Sequence, residues 1–181
     1  MLPAIVTCSS HVVNHFIQPS TTTAHGKTNM AGDTKPRTFN PPGVPLPPPT
    51  YNHVCVTPLI PGLVDLVTLA GLTGFSPSDD SSPKTIKEQA PIAYSKIKIC
   101  LAAAGATPRD IVQVRHYIVN ETGDPAVDKL DVVERGWGDA WIEFMDREAG
   151  GHRPPDTVVG VASLAVEGLL YECEVWAIVR K

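Results

Sequence analysis

Prolines constrain the first third of this chain more than any other feature does. Seven of the eighteen prolines crowd the stretch from 36 to 49. Each proline removes a backbone donor and fixes φ, which excludes a helix or a central strand and favours an extended, polyproline-like segment. We therefore predict a Pro-rich, flexible N-terminal arm over 1–50 and one folded domain over 51–181. The arm is interpreted as a ligand for an SH3-type groove, a solvated tail, or a strap over the domain surface.

From residue 51 onward, short strand-like runs alternate with two helical patterns. The spacing predicts strands over 51–56 and 63–70, a helix over 85–104, a strand over 111–120, a second helix over 125–148, and strands over 157–164 and 169–179. This order indicates an α/β (α+β) domain, a mixed sheet with two helices on one face. The opposite face mixes charged and aromatic groups, which predicts a covering partner in a homo-oligomer. It carries Arg115, Tyr117, Glu172, Glu174 and Trp176.

The periodicities also predict which side chains are buried. Alternation along the strand over 111–120 places four residues on its core face: Val112, Val114, His116 and Ile118. Helical spacing predicts an aromatic core stripe of Trp137, Trp141 and Phe144. His116 is therefore expected to be a hydrogen-bonded core histidine rather than a catalytic group.

Charge and cysteine usage narrow the function classes. Lys and Arg number 15 against 19 Asp and Glu, a net charge of −4, so a broad basic surface for nucleic acid is not expected. The four cysteines lie too far apart for a metal site or a disulfide framework, which favours a reduced intracellular protein. No apolar run has the length of a membrane span. We predict a cytoplasmic protein, and the Ser/Thr-rich, acid-poor residues 1–38 leave mitochondrial import open.

Six segments of the sequence, in this order and at this spacing, match the pattern of a known family: residues 69–71, 88–105, 110–114, 140–144, 159–164 and 171–177. Together they resemble the Rid superfamily, the reactive intermediate imine deaminases, also called the YjgF family and formerly L-PSP endoribonucleases. The resemblance implies a chorismate-mutase-like fold in a homotrimer, with strands in a central barrel and ligand clefts between subunits. Many members hydrolyse reactive enamines or imines, formed by PLP enzymes, to keto acids and ammonia. The resemblance implies no metal and no bound cofactor.

The resemblance also assigns candidate site residues one at a time. The family's cleft tyrosine falls on Tyr51, its backbone turn on Ala70 and Gly71, and its last-strand carboxylate on Glu172. The glutamine that follows the glycine in the family is Leu72 here, so a more apolar cleft is expected.

Position 156 departs from the family pattern. The family's arginine, which pairs with the substrate carboxylate, falls on Asp156. An aspartate repels a carboxylate, so ordinary 2-imino acids are expected to bind poorly there. Arg153 or Arg115 could meet an anion instead, but for Arg115 a salt bridge with Glu172 or Glu174 inside the assembly is the preferred interpretation.

Four further features are candidates for the substrate site. Tyr117 shares its strand face with Arg115. His152, in a Gly-rich loop that leads to position 156, could act as a general base or be a solvated loop residue, and His53 is a comparable candidate. The acidic segment 121–138 is longer than the family's usual connection, and is interpreted as an extended surface helix or as a lid.

The function expected from these residues is that of a small-molecule enzyme. It would act on a reactive imine, enamine or related intermediate of secondary metabolism, by hydrolytic deamination or by proton transfer and cyclisation. Glu172 would orient or deprotonate a water, Tyr51 would contact the substrate, and Asp156 would meet a cationic or hydroxyl group. The alternative is a non-catalytic protein that binds a metabolite or docks a partner enzyme. RNA cleavage is disfavoured by the negative charge.

Overall fold

In the computed structural model, the described residues are 34–74 and 83–181. They form strands β1 (Arg37–Phe39), β2 (Val54–Ile60), β3 (Val64–Leu69), β4 (Leu72–Thr73), β5 (Ile111–Val119), β6 (Asp156–Val161) and β7 (Tyr171–Arg180). The helices are α1 (Ile86–Ala103), α2 (Pro125–Asp128) and α3 (Trp137–Ala149), with 3₁₀ turns at Pro108–Asp110 and Val132–Glu134. Most of the predicted arm, 1–33, and part of a predicted polar loop, 75–82, lie outside the described residues.

The strands of the described chain form one mixed sheet. Its order is β1-β2-β3-β7-β5-β6, and β4 pairs with the beginning of β7. β5 and β6 are parallel and the other pairs are antiparallel. Because β5 lies between β6 and β7, the last two strands are consecutive in the chain but are not neighbours in the sheet. The predicted α+β class with a mixed sheet is confirmed.

α1 forms where the sequence predicts it because the sequence supplies both of its ends. The Thr85 hydroxyl accepts from the Glu88 N–H at 3.2 Å, and the Glu88 carboxylate accepts from the Thr85 N–H at 3.2 Å. This capping box satisfies donors that the first turn leaves free. After the helix, Gly105 adopts a φ of 80°, the left-handed conformation that commonly follows a helix end. The buried side of α1 packs on β7 and α3.

The prediction of a single helix over 125–148 is wrong. α2, a 3₁₀ turn and α3 occupy this range, and Gly136 has a φ of 85°, which a right-handed helix excludes. The Arg135 side chain is buried and donates to the carbonyl oxygens of Val119, Asn120 and Leu130. These bonds satisfy backbone acceptors of an irregular segment, so it need not be helical. The predicted aromatic stripe is confirmed, since three α3 residues are buried: Trp137, Trp141 and Phe144.

The core lies between the helices and one face of the sheet. His116 and Ile118 are buried in it as predicted, but Val112 is 41% exposed and Ile111 is buried instead. The register of β5 against β7 shifts between Ile111 and Gln113. This bulge turns Val112 outward, and simple alternation does not predict it.

The opposite face of the sheet is open in the described chain. Arg115, Tyr117 and Glu174 are partly exposed on it, and Trp176 is exposed. The expected trimeric barrel stays a prediction, in which this face would contact further copies. Across the described ranges, none of the helices has the length and apolar character needed to cross a membrane.

The folded domain begins before the predicted boundary at residue 51. β1 pairs antiparallel with β2, with Phe39 opposite Val54. The Asn40 amide donates to Asn52 Oδ1 at 2.8 Å, which ties the two strands together beyond their ladder. The assignment of all of 1–50 to an arm is therefore corrected, since residues 37–39 belong to the sheet. They are free of proline and form an edge strand, so the crowded prolines that follow do not interrupt its pairing.

Candidate functional site

A cleft of about 670 Å³ opens beside the beginning of β7. The Pro-rich segment 44–48 and the connection before β7 form parts of its wall, and α1 contributes Lys96. The cleft brings together six positions that the sequence singled out for the site: Tyr51, His53, Ala70, Gly71, Leu72 and Glu172. These residues come from three separate parts of the chain, and the pairing of β4 with β7 joins two of them.

Glu172 is the carboxylate of this cleft, and Gly71 makes room for it. A Cβ atom at Gly71 would lie 1.7 Å from Glu172 Oε1, so the carboxylate packs directly against the glycine backbone. Burial, and secondarily the neighbouring Glu174 carboxylate, raise the pKa of Glu172 above its ordinary value. A carboxyl group with a raised pKa takes up a proton more readily than an ordinary carboxylate and can return it. Glu172 can therefore serve as an acid or as a base in the cleft.

Tyr51 and His53 line another side of the cleft. Tyr51 is 45% exposed, and its ring meets the His53 ring edge to face at 5.9 Å. His53 is buried, and its Nε2 lies 2.8 Å from the Pro45 carbonyl oxygen. A carbonyl oxygen only accepts, so Nε2 carries the proton of this bond. His53 thereby holds the Pro-rich segment against the cleft.

The turn at Ala70–Leu72 supplies backbone and an apolar wall. The Ala70 N–H donates to the His53 carbonyl oxygen at 2.9 Å, so this amide already has a partner. Leu72 is 2% exposed and pairs with Cys173, which places most of its side chain in the core. The Leu72 side chain therefore contributes mainly to the core, and the expectation of a more apolar cleft at position 72 stays a prediction.

Sequence reasoning missed one charged residue of the cleft. Lys96 is half-buried on α1, and its Nζ donates to the Thr73 carbonyl oxygen at 2.6 Å. Burial lowers the pKa of Lys96 below its ordinary value. The sequence contained a pattern that could have located Lys96. Position 96 lies three residues after Ala93 and four before Cys100, so it is beside the apolar stripe of the helix.

Arg115 and Tyr117 lie outside the cleft of the chain. Arg115 Nη1 is 3.1 Å from Glu174 Oε1, and its guanidinium lies 5.1 Å from the centre of the Trp176 ring. The Tyr117 hydroxyl donates to Glu174 at 3.3 Å. Arg115 is thus paired with a glutamate, one of the two alternatives stated from sequence. A role for either residue in substrate binding stays a prediction.

The loop that leads into β6 is also apart from the cleft. Arg153 forms an ion pair with Asp146, and His152 Nε2 lies 2.8 Å from the Ile111 carbonyl oxygen. Asp156 is exposed at the start of β6, opposite Val114 of β5. The roles predicted for Arg153, His152 and Asp156 therefore depend on contacts that one chain does not contain. Residues from the acidic segment 121–138 line a different cleft, of about 370 Å³.

Metal ligation finds no support in the ranges 34–74 and 83–181. Within them, no three His, Cys, Asp or Glu side chains are grouped so that they could hold an ion. The cleft itself offers one carboxylate, one ammonium and a buried imidazole on a largely apolar surface. Such a set favours proton transfer with a small organic ligand.

Comparison with known proteins agrees with this fold. The family model described as endoribonuclease L-PSP matches residues 49–179. No protein with a curated description matches the chain. A solved structure of Rv2704 from Mycobacterium tuberculosis, described as a member of the YjgF/YER057c/UK114 family, has 27% identity and a TM-score of 0.56, covering 80% of this chain and 100% of its own.

Two further solved structures show the same fold at lower identity. YyfA from Yersinia pestis, described as belonging to the conserved Rid protein family, has 20% identity and a TM-score of 0.60, covering 80% of this chain and 100% of its own. An endoribonuclease L-PSP homologue from Entamoeba histolytica has 21% identity and a TM-score of 0.59, with the same coverage of 80% and 100%. The chain belongs to the Rid/YjgF superfamily, whose family model carries the description endoribonuclease L-PSP.

Proposed function

We propose that this protein is a small-molecule enzyme that acts on a reactive imine, enamine or related intermediate in the cleft beside β7. The observation that carries the proposal is the half-buried Glu172 carboxylate, held against Gly71 with a raised pKa in a largely apolar cleft. Proton transfer by a positioned side chain contributes about 10²- to 10⁴-fold to a rate, and its pKa is best placed near the working pH.

Hydrolysis of an imine proceeds by addition of water and loss of ammonia. The substrate reacts as the protonated imine: Glu172 takes a proton from water as the water oxygen bonds to the imine carbon, and the carbon–nitrogen π electrons move onto the nitrogen, which gives a neutral carbinolamine. In the second step Glu172 returns its proton to that nitrogen, the carbon–nitrogen bond breaks, the hydroxyl proton passes to solvent as the carbonyl forms, and ammonia leaves. The same acid and base can instead catalyse proton transfer or cyclisation of a related intermediate.

The other residues of the cleft bind and orient the substrate in this proposal. Tyr51, exposed at the mouth, contacts the substrate. The Ala70 amide is occupied by His53, so the Gly71 amide is the backbone donor that we assign to the substrate. The proposed assembly is a homotrimer with the clefts between subunits, in which Asp156 faces the cleft of a neighbour. The negative charge of Asp156 then disfavours a substrate carboxylate at that position.

The test is ammonia release from freshly generated 2-aminoacrylate and from a branched-chain imine. The expected result is slow turnover by the wild type, because Asp156 disfavours the substrate carboxylate, and at least about 100-fold slower turnover by Glu172→Gln. Glu174→Gln is the matched control, because Glu174 lies two residues further along the same strand face but pairs with Arg115. It should change turnover by less than about threefold. Asp156→Arg, assayed beside them with the oligomer mass measured, should increase turnover of the imino acids.

Two outcomes contradict the proposal. Equal losses in the Glu172→Gln and Glu174→Gln variants would mean that Glu172 has no special role in the chemistry. Absence of turnover in the wild type and in Asp156→Arg, together with thermal stabilisation by the same ligands, would favour the alternative of a non-catalytic metabolite-binding protein.

A further inference from the structure

A second cleft, of about 370 Å³, lies between the first turn of α1 and the segment 122–136. Its volume is at the lower end of the range found for small-molecule sites. Among the described residues, none lines both this second cleft and the cleft beside β7. Its apolar lining includes Ile86 and Leu170, which are buried, and Leu130, which is 41% exposed. The second cleft therefore offers a separate apolar surface on which part of a small ligand can be buried.

The segment 122–136 is held in place although it contains little regular structure. The Thr122 N–H and hydroxyl both donate to the Asp128 carboxylate, at 2.8 and 2.7 Å. The buried Arg135 side chain donates to the carbonyl oxygens of Asp128 and Leu130, at 3.3 and 2.9 Å. These bonds fix one side of the second cleft before any ligand binds. A preorganised site loses less conformational entropy on binding, which favours affinity for a small ligand.

The two sides of the second cleft carry opposite charges. Lys87 belongs to the first turn of α1, whereas Asp124 and Glu134 belong to the segment 122–136. In the described structure, no ion pair within 4.0 Å joins Lys87 to either acid. Asp124 caps α2, because its Oδ1 accepts from the Ala126 N–H at 2.9 Å. Glu134 is therefore the acid that we assign to a ligand.

Lys87 and Glu134 lie near each other at the rim of the second cleft. A Cβ atom at Gly136 would lie 3.5 Å from Lys87 Cβ and 3.6 Å from Lys87 Cδ, so the stem of Lys87 runs along the backbone two residues after Glu134. Both side chains are exposed. A ligand between them can therefore meet an ammonium and a carboxylate at once, while its apolar part enters the cleft.

This combination of groups defines a ligand class. We propose that the second cleft binds a small zwitterion with an apolar side chain, that is, an apolar α-amino acid. Its carboxylate pairs with Lys87, its ammonium pairs with Glu134, and its side chain contacts Leu130 and Leu170. Two opposite charges on one carbon atom complement the opposite charges across the cleft. The site goes beyond the proposed function, since none of these residues takes part in the chemistry at Glu172.

The experiment is an NMR titration of the full chain with leucine. The backbone amide shifts of Leu130 and Gly136 report the second cleft, and that of Gly71 reports the cleft beside β7. Three further probes each lack one feature of leucine. Isocaproate lacks the ammonium, isoamylamine lacks the carboxylate, and glycine lacks the side chain.

Two variants each remove one charge from the second cleft, Lys87→Met and Glu134→Gln. The matched controls are Lys129→Met and Glu121→Gln, which remove the same charges from exposed residues of the same part of the chain that do not line the second cleft. Thermal unfolding verifies that each variant is folded, and Lys87→Gln replaces Lys87→Met if that variant does not fold.

The expected result is specific to charge and position. Leucine should shift the amides of Leu130 and Gly136, and Lys87→Met and Glu134→Gln should each weaken its binding about fivefold, the effect of one exposed ion pair. Lys87→Met should leave isoamylamine binding within about twofold, and Glu134→Gln should do the same for isocaproate. Glycine should bind at least about tenfold more weakly than leucine, because it buries no side chain. Both controls should bind leucine as the wild type does.

Three results would overturn the proposal. One is a leucine titration that leaves the amides of Leu130 and Gly136 unshifted, whatever happens at Gly71. Another is leucine binding by Lys87→Met and Glu134→Gln that does not differ from that of their controls. The third is binding of isocaproate or isoamylamine as tight as that of leucine, which would mean that the second cleft does not recognise a zwitterion.

Discussion

His116 makes the stability of this fold dependent on pH. Its side chain has 0% exposure, its ring stacks on Trp137 at 4.3 Å, and its Nδ1 lies 2.5 Å from the Tyr171 hydroxyl oxygen. Its Nε2 is buried and has no hydrogen-bond partner in the described structure. A charged imidazole would lose its hydration here with no anion to replace it. Burial accordingly lowers the pKa of His116 from 6.5 to about 3.

The size of this pH-dependent loss of stability follows from the difference in proton binding by His116 between the folded and unfolded states. Below pH 6.5 the unfolded chain binds a proton that the folded chain does not bind until the pH approaches 3. The unfolded state is therefore stabilised by acid, and the free energy of unfolding falls as the pH falls through this window. At pH 5.0, about 1.5 pH units below the unfolded value, the loss due to His116 is about 2 kcal/mol. At pH 7.5 it is negligible, because the ring is neutral in both states.

Urea unfolding followed by circular dichroism measures this loss at pH 7.5 and 5.0, at one protein concentration. The variant is His116→Phe, which keeps an aromatic ring beside Trp137 and cannot titrate. Between the two pH values, the wild type should lose about 2 kcal/mol more than the variant does. Other groups with shifted pKa values are present in both proteins, so their contributions cancel. Equal losses in the two proteins would refute the assignment of a neutral, buried His116, whatever the baseline stability of the variant.

Two glycine substitutions separate catalysis from folding. Gly71→Ala places a Cβ atom 1.7 Å from Glu172 Oε1, so the carboxylate must swing away from its position in the cleft. Turnover should fall to the level of Glu172→Gln, whereas the free energy of unfolding should change by less than about 1 kcal/mol, because the three nearest atoms all belong to the flexible Glu172 side chain and none to the backbone. Gly74→Ala instead places a Cβ atom 2.0 Å from the backbone oxygen of Gln89 in α1. Urea unfolding should show a loss of about 2 kcal/mol or more, and a smaller loss would mean that β4 and α1 are less closely packed than the structure shows.

The elements that the sequence predicted correctly are those whose signals are local. α1 has a capping residue, an apolar stripe and a terminal glycine, and it begins and ends within one residue of the prediction. β7 alternates buried and exposed side chains over most of its length, as expected for a strand with one core face. The prediction of a single helix over 125–148 fails for a non-local reason. The buried Arg135 side chain donates hydrogen bonds to backbone oxygens that precede it by 15 and 16 residues. Periodicity within a window does not report such bonds.

The residues of the candidate site show the same difference between local signals and tertiary contacts. The resemblance placed Tyr51, Gly71 and Glu172 in one cleft, and the structure brings them together through the pairing of β4 with β7. Lys96 was missed because a lysine beside the apolar stripe of a helix is normally taken as an exposed, snorkelling side chain. Its place in the cleft depends on where the chain after β4 lies against α1, and this is a tertiary contact.

The sheet register separates Asp156 from the Glu172 carboxylate of its own chain. Glu172 is opposite Tyr117 on β5, and Tyr117 is opposite Val159 on β6. Asp156 lies three residues before Val159, so with strands about 4.8 Å apart and a rise of about 3.3 Å per residue the two Cα atoms are about 14 Å apart. Two acidic side chains do not span that distance to share one small substrate. A role for Asp156 at the cleft therefore requires a neighbouring copy, and the predicted trimer and the predicted effect of Asp156→Arg must be confirmed or rejected together.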